Sequence, residues 1–237
     1  MFYLIDRQTL HKKIEENPFL VLEDVIYHSL RNDIIELQLT PGSKLNESKL
    51  AEDLGISRSP IRNALQKLYQ EGLILKKANK LSVVSALSKE ECHQIMEARL
   101  AIEGFAAYLA TFHITEEQLK QLQFWISQYE NASNGKSTTD IAAHAACDHR
   151  FHAIIIEASN NAYIQEMYQK IEGRIFHYRN CILHTISQEN STKILSSAVK
   201  QHLTIYHALK LGFSEMAKIE IENDIRSMVN VFMAWET

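Results

Sequence analysis

The chain has 237 residues, enough for one large domain or two small ones, and its 46% hydrophobic and 23% charged residues exclude a disordered or fibrous polymer. Seven glycines and three prolines are too few breakers for a many-stranded sandwich or barrel, so long helices are expected. The net charge of −4 is unevenly spread: residues 1–86 carry 12 Lys/Arg against 11 Asp/Glu, and the remainder 13 against 18. Between Ser57 and Lys80 six basic residues stand against Glu71 alone, a patch that counts towards a polyanion partner only alongside a motif. Cys92, Cys147 and Cys181 form no CxxC pair and are odd in number, which argues against a disulfide framework and for a reducing, cytoplasmic setting. The first residues lack a signal-peptide pattern, and no run approaches the ~18 apolar residues of a membrane span, so no membrane partner is expected.

Residues 1–18 read as an N-terminal extension, either a short amphipathic helix or an arm ordered against the rest. From Phe19 to Leu37 the apolar residues Val21, Val25, Ile26, Leu30, Ile34 and Leu37 recur mostly at three and four, which is a helix. Thr40-Pro41-Gly42-Ser43 suits a type II turn. Asn46 is a cap for a short helix with Leu50, Ala51 and Leu54 inside, ended by Gly55. Ser57 is the expected cap of the next helix, whose stripe is Ile61, Ala64, Leu65 and Leu68, with Pro60 in its first turn. Leu73-Ile74-Leu75 and Leu81-Ser82-Val83-Val84 then flank Lys77–Lys80 as a hairpin wing.

Beyond Ser88 there is neither proline nor strand signal. Ser88 with Glu91, and Thr115 with Gln118, have capping-box spacing. Asn131–Asp140 reads as a loop, and further helices are expected near 139–158, 161–187, 191–211 and 213–235. The expected fold is therefore mainly α: a winged helix-turn-helix over residues 19–86 and an all-helical bundle of about six to seven helices over 87–237.

In a winged helix-turn-helix the second helix enters the major groove by its N-terminal end. Here that end is Ser57-Arg58-Ser59-Pro60-Ile61-Arg62, with two arginines four apart on one face. One suits a guanine edge held bidentately, the other a phosphate. The stretch TPGSKLNESKLAEDLGISRSPIRNALQKLYQEGLI resembles the DNA-binding domain of the GntR family of bacterial regulators almost throughout. Asn63 departs from the usual Glu, Ala78 from a common Pro, and Leu81 from the wing-tip Gly, which weakens the expectation of a close wing approach. The expected DNA-contacting set is Arg31, Ser57, Arg58, Ser59, Pro60, Arg62 and Lys80.

The helical remainder resembles the FCD effector domain of the FadR-like branch of that family. EARLAIEGFAAYLA looks like its opening helix, DHRFHAIIIEASNN like its D-x-x-F-H segment, and QHLTIYHALKLG like its EH-x-x-I segment. Asp148 and His152, four apart, project a carboxylate and an imidazole together, which suits a divalent metal or a plain helix-surface pair. The resemblance implies His202 and the residue at 224 as further ligands. The usual His is Asp224 here, so the set is two His and two Asp, a harder site for Zn²⁺, Ni²⁺ or Mn²⁺. Arg99 is the candidate to grip an effector carboxylate, with an ion pair to Glu103 as the alternative.

The implied function is a transcriptional regulator, a repressor released from a palindromic DNA operator by a small organic acid, acting as a homodimer and not as an enzyme. A metal-sensing repressor is one alternative. The other is a helical-bundle metalloenzyme regulated by the winged helix, against which the absence of paired ExxH motifs, a P-loop and GxGxxG counts.

Overall fold

The computed structural model describes residues 6–17, 19–77, 81–86, 88–133, 139–185 and 188–233, without the side chains of 132–133, 139–143, 182–185, 188–196 and 229–233. Two compact units result, Met1–Leu87 and Ser88–Thr237.

In the first unit α1 (Arg7–Glu16) starts at Asp6, whose side chain accepts the Thr9 N–H at 2.7 Å. Its Leu10 is fully buried in the unit's core, and Ile14 packs against that core. Helix α2 (Leu22–Ile35) begins after the expected Phe19, which is 91% exposed. The turn at Thr40–Ser43 closes with Ser43 N–H on the Thr40 carbonyl at 2.9 Å, and Gly42 takes the positive φ of 84° that the third position needs. Strand β1 (Lys44–Asn46) leads directly into α3 (Glu47–Leu54), where Asn46 Oδ1 accepts from the N–H groups of Ser48 and Lys49. After Gly55, at φ +67°, comes α4 (Arg58–Gln70). Ser57 stands at its N-cap, but its side chain makes no capping bond, so the expected side-chain cap is corrected to a backbone position only.

Helix α2 packs across α4, and Ile26, Leu30, Ile34, Leu50, Ile61 and Leu68 close the core. Each such side chain contributes about 1.5–3 kcal/mol on burial. Strands β2 (Ile74–Lys76) and β3 (Leu81–Val84) form the expected wing, and β1 adds a third strand, in the antiparallel order β1-β3-β2. Leu45, opposite Ser82, is the buried residue of β1. Three residues are too short a run to show alternation, so this strand was not expected.

The second unit holds six described helices: α5 (Lys89–His113), α6 (Glu116–Ser133), α7 (Thr139–Ala158), α8 (Ala162–Thr185), α9 (Gln188–Leu211) and α10 (Ser214–Met233). Helix α5 is the hub and packs against α10, α7 and α8. Its inward stripe runs Cys92, Met96, Arg99, Glu103, Ala106 and Ala110, a spacing of three and four that carries two charged residues into the core. Thr115 and Gln118 form the reciprocal capping box. At Ser88 only half of it forms. Ser88 Oγ accepts the Glu91 N–H, while the Glu91 carboxylate turns to Arg174 and Tyr178. No described helix is long and apolar enough to cross a membrane.

Candidate functional site

The start of α4 presents the expected basic face. Arg58 and Arg62 are 43% and 60% exposed, and both lean on Glu47 at the start of α3, at 3.0 and 2.9 Å. The Arg62 hydrogen bond, aided by Arg58, holds the mostly buried Glu47 carboxyl below its ordinary pKa against the cost of burial. One acid thus aims two guanidinium groups and leaves their outer edges in solvent. Ser57 and Ser59 are exposed beside them, and Pro60 is half-buried. Arg31 sits differently. Its side chain is 19% exposed and its Nε donates to Glu71 Oε2 at 3.0 Å, tying α2 to the end of α4. Lys67 is engaged by Glu23 and Asp24, and Asn63 Nδ2 donates to Glu23 at 2.8 Å, so the flank of α4 towards α2 is neutralised. Lys80 lies outside the described residues.

The second unit has its charges at its centre. Asp148 and His152 on α7, His202 on α9 and Asp224 on α10 are all buried, and one potential ligand atom from each lies within 4.8 Å of the others. His152 Nε2 is 3.7 Å from Asp148 Oδ2 and 3.2 Å from Asp224 Oδ2, and His202 Nε2 is 3.5 Å from Asp148 Oδ1. None of these contacts has the alignment of a hydrogen bond for the two Nε2 atoms or for Asp148 Oδ2. The two buried ring nitrogens thus face two carboxylates without a hydrogen bond of their own, which is the arrangement a cation resolves.

The rings are fixed from behind. His152 Nδ1 pairs with Glu103 Oε2 at 2.7 Å, and Glu103 is itself gripped by Arg99, with Nε at 2.5 Å and Nη2 at 3.3 Å. The His202 ring stacks on Phe151 at 4.1 Å between centroids, with Tyr129 at its edge. His144, one turn ahead of Asp148, is buried against Tyr129. Arg179 of α8 presses its guanidinium against Asp148, and it too is buried.

Electrostatics follow from this packing. Burial opposes ionisation of Glu103, but Arg99 and His152 outweigh it and hold the carboxyl at about 2. Burial likewise opposes charge on His152, yet the Glu103 carboxylate carries it up to about 9. Burial drives His202 down to about 3, leaving it a neutral donor. Burial and the neighbouring Arg99 lower Arg179 to about 10. Arg99, expected at an effector, has its guanidinium engaged by Glu103, and that pair is buried rather than on the helix surface. Glu103 was not anticipated as the support of His152. The signal was present, because Arg99 and Glu103 fall on the apolar stripe of α5 and are thereby carried inside.

A winged helix that offers arginines to solvent, followed by a helical unit that encloses ionisable side chains, defines a DNA-binding regulator with a sensing domain. Residues 22–83 match the bacterial regulatory proteins of the gntR family, and residues 94–226 match the FCD domain. The chain belongs to the GntR family of bacterial transcriptional regulators, in its FCD-containing branch. It is 27% identical over 193 residues to the HTH-type transcriptional regulator YdhC of Bacillus subtilis strain 168, covering 81% of this chain and 82% of that one. It is also 27% identical to the HTH-type transcriptional repressor RspR of Escherichia coli K12, over 82% and 81% of the two chains. Among solved structures, Escherichia coli McbR/YncC shares the fold with a TM-score of 0.77 at 20% identity, over 92% of this chain and all of that one.

Proposed function

We propose that this regulator is a homodimeric repressor that binds a two-fold symmetric operator through Arg58 and Arg62 and leaves it when a small carboxylate enters the helical unit. The observation that carries this reading is the pairing of an exposed arginine face on α4 with a buried, cation-shaped cluster in the other unit. Repression is favoured by the relative RspR. Dimerisation is supported by a ladder of touching rings on α5, Phe105, Tyr108 and Phe112, whose two phenylalanines are 49% and 62% exposed. The same reading gives the ionisable core a sensing role rather than catalytic turnover.

Asp148, His152, His202 and Asp224 would hold a divalent ion such as Zn²⁺, Ni²⁺ or Mn²⁺. The unpartnered Nε2 atoms and the two carboxylates are the donor chemistry such an ion takes. Bound there, the ion supplies a Lewis-acidic anchor for a carboxylate. Glu103 keeps the Nε2 of His152 aimed at the cluster, and Arg99 keeps Glu103 ionised. Arg179, beside Asp148, and Arg99 behind Glu103 provide two buried positive charges for an organic anion.

The test is a melting series with Zn²⁺, Ni²⁺ and Mn²⁺, combined with DNA release in the presence of small carboxylates. At least one ion should raise the melting temperature of the wild type. At a hundredfold excess over Kd the gain is about 2.7 kcal/mol, and it should vanish in the His152→Ala, His202→Ala double variant. No shift with any ion removes the metal from the reading. Release of DNA by the ion alone makes the ion itself the signal. Selection of duplexes from a random pool should recover an inverted repeat, and recovery of no common sequence would count against operator reading.

A further inference from the structure

Helix α1 lies outside the residues that match the gntR family, yet it is built into the winged-helix core. Leu10 has no exposure, Asp6 fixes the first turn, and the helix packs on α3. That docking places Arg7 over Gly55, the residue that turns α3 into α4. A Cβ at Gly55 would meet Arg7 Nε at 2.5 Å, Cζ at 2.7 Å and Nη2 at 2.9 Å. The guanidinium therefore lies on the bare backbone of the helix-turn-helix turn, three residues ahead of Arg58.

Arg7 is also distinguished by what it lacks. Of the four arginines in this unit, Arg31 is held by Glu71, and Arg58 and Arg62 by Glu47. Arg7 has no carboxylate partner among the described residues and is exposed. A free guanidinium at this place has a physical use. The turn stands where the N-terminal end of the recognition helix enters the major groove, so the sugar-phosphate backbone flanks it. Phosphate contacts set register and orientation around that point and are made most effectively by arginine.

We propose that Arg7 is a further DNA contact, a phosphate clamp contributed by α1 and admitted by the missing side chain at Gly55. The inference rests on α4 being the DNA-reading helix. The contact would be indifferent to sequence, because it touches no base edge.

The experiment measures binding of full-length protein to a short mixed-sequence duplex by fluorescence anisotropy over a range of salt concentrations. It compares wild type, Arg7→Gln and Arg7→Lys. Each phosphate neutralised contributes about 0.9 to the slope of log K against log salt. Arg7→Gln should lower that slope by about 0.9 per protomer bound, while Arg7→Lys should retain it. The weakening by Arg7→Gln should be equally large on a selected operator and on mixed-sequence DNA. A slope in Arg7→Gln equal to that of wild type overturns the proposal. So does an equal loss in Arg7→Lys, which would make the residue's role one of shape and not of charge. If wild type itself shows no salt-dependent binding to duplex DNA, the reading of α4 fails, and the clamp with it.

Discussion

The two units handle charge in opposite ways. In the winged helix Arg58 and Arg62, the proposed DNA contacts, are half in water, steadied by a single acid, and the core beneath them is apolar. In the helical unit Arg99, Glu103, Asp148, His152, Arg179, His202 and Asp224 are all buried, and the apolar residues surround them. A surface charge reads a polymer that arrives from outside and costs little to maintain. A buried charge costs much unless every partner is present, and it suits a ligand small enough to be enclosed. The contrast predicts that removing a charge should damage binding in one unit and folding in the other.

The largest effect should come from Glu103→Ala, which leaves the Arg99 guanidinium buried without its partner. A loss of about 3–5 kcal/mol in the stability of the helical unit is expected in urea denaturation. Adding Arg99→Met should restore part of it, since the unpaired guanidinium is then removed while His152 still lacks its Glu103 partner. A Glu103→Ala protein as stable as wild type would break the comparison at its strongest point.

Arg58→Ala and Arg62→Ala should do the reverse. Each should weaken operator binding by about 1–3 kcal/mol per half-site, and both variants should melt within about a degree of wild type. Mobility shifts and thermal melts on the same preparations decide it. Unchanged binding in both would mean that α4 is not the reading element.

A smaller effect sharpens the contrast through pH. His177 on α8 is buried, and neither of its ring nitrogens makes a hydrogen bond. Burial, with the charge of Arg174, pushes its pKa from 6.5 down to about 4. The unfolded chain therefore takes up the proton at a higher pH than the folded unit does. This contribution to stability is complete above 6.5 and is lost as pH falls towards 4, at about 1 kcal/mol over the first unit. His177→Leu should flatten that slope, as measured by urea midpoints between pH 7 and 5. An identical slope in the variant would show that other groups bind the protons.

The units also differed in how much their sequences disclosed. The proposed reading face lies within Ser57–Arg62, one stretch of chain, and each residue's place follows from helical spacing and two glycines. The cluster comes from three helices. Only Asp148 and His152 announce each other, at i and i+4, whereas His202 and Asp224 became candidates through family resemblance and are brought to the same point by packing. Arg99 with Glu103 looks like any helix pair until the stripe of α5 is followed inward. Arg31 shows the converse, a cation in a basic unit that the fold uses to hold Glu71. The strand Lys44–Asn46 depended on tertiary pairing that no local pattern reports.

Helix α8 has one further property, a matter of leverage. Arg179 touches Asp148 at the cluster, and five residues earlier on the same helix Arg174 holds Glu91, while Tyr178 both takes the Ser88 N–H and donates to Glu91. Five residues span about 7.5 Å of a stiff rod. A helix turns as one body, so a rotation that moves Arg179 away from Asp148 also swings Arg174 and Tyr178. Ser88 is where the chain enters the helical unit. Whatever displaces Arg179 therefore strains the contacts that hold Ser88 and Glu91 at the start of α5.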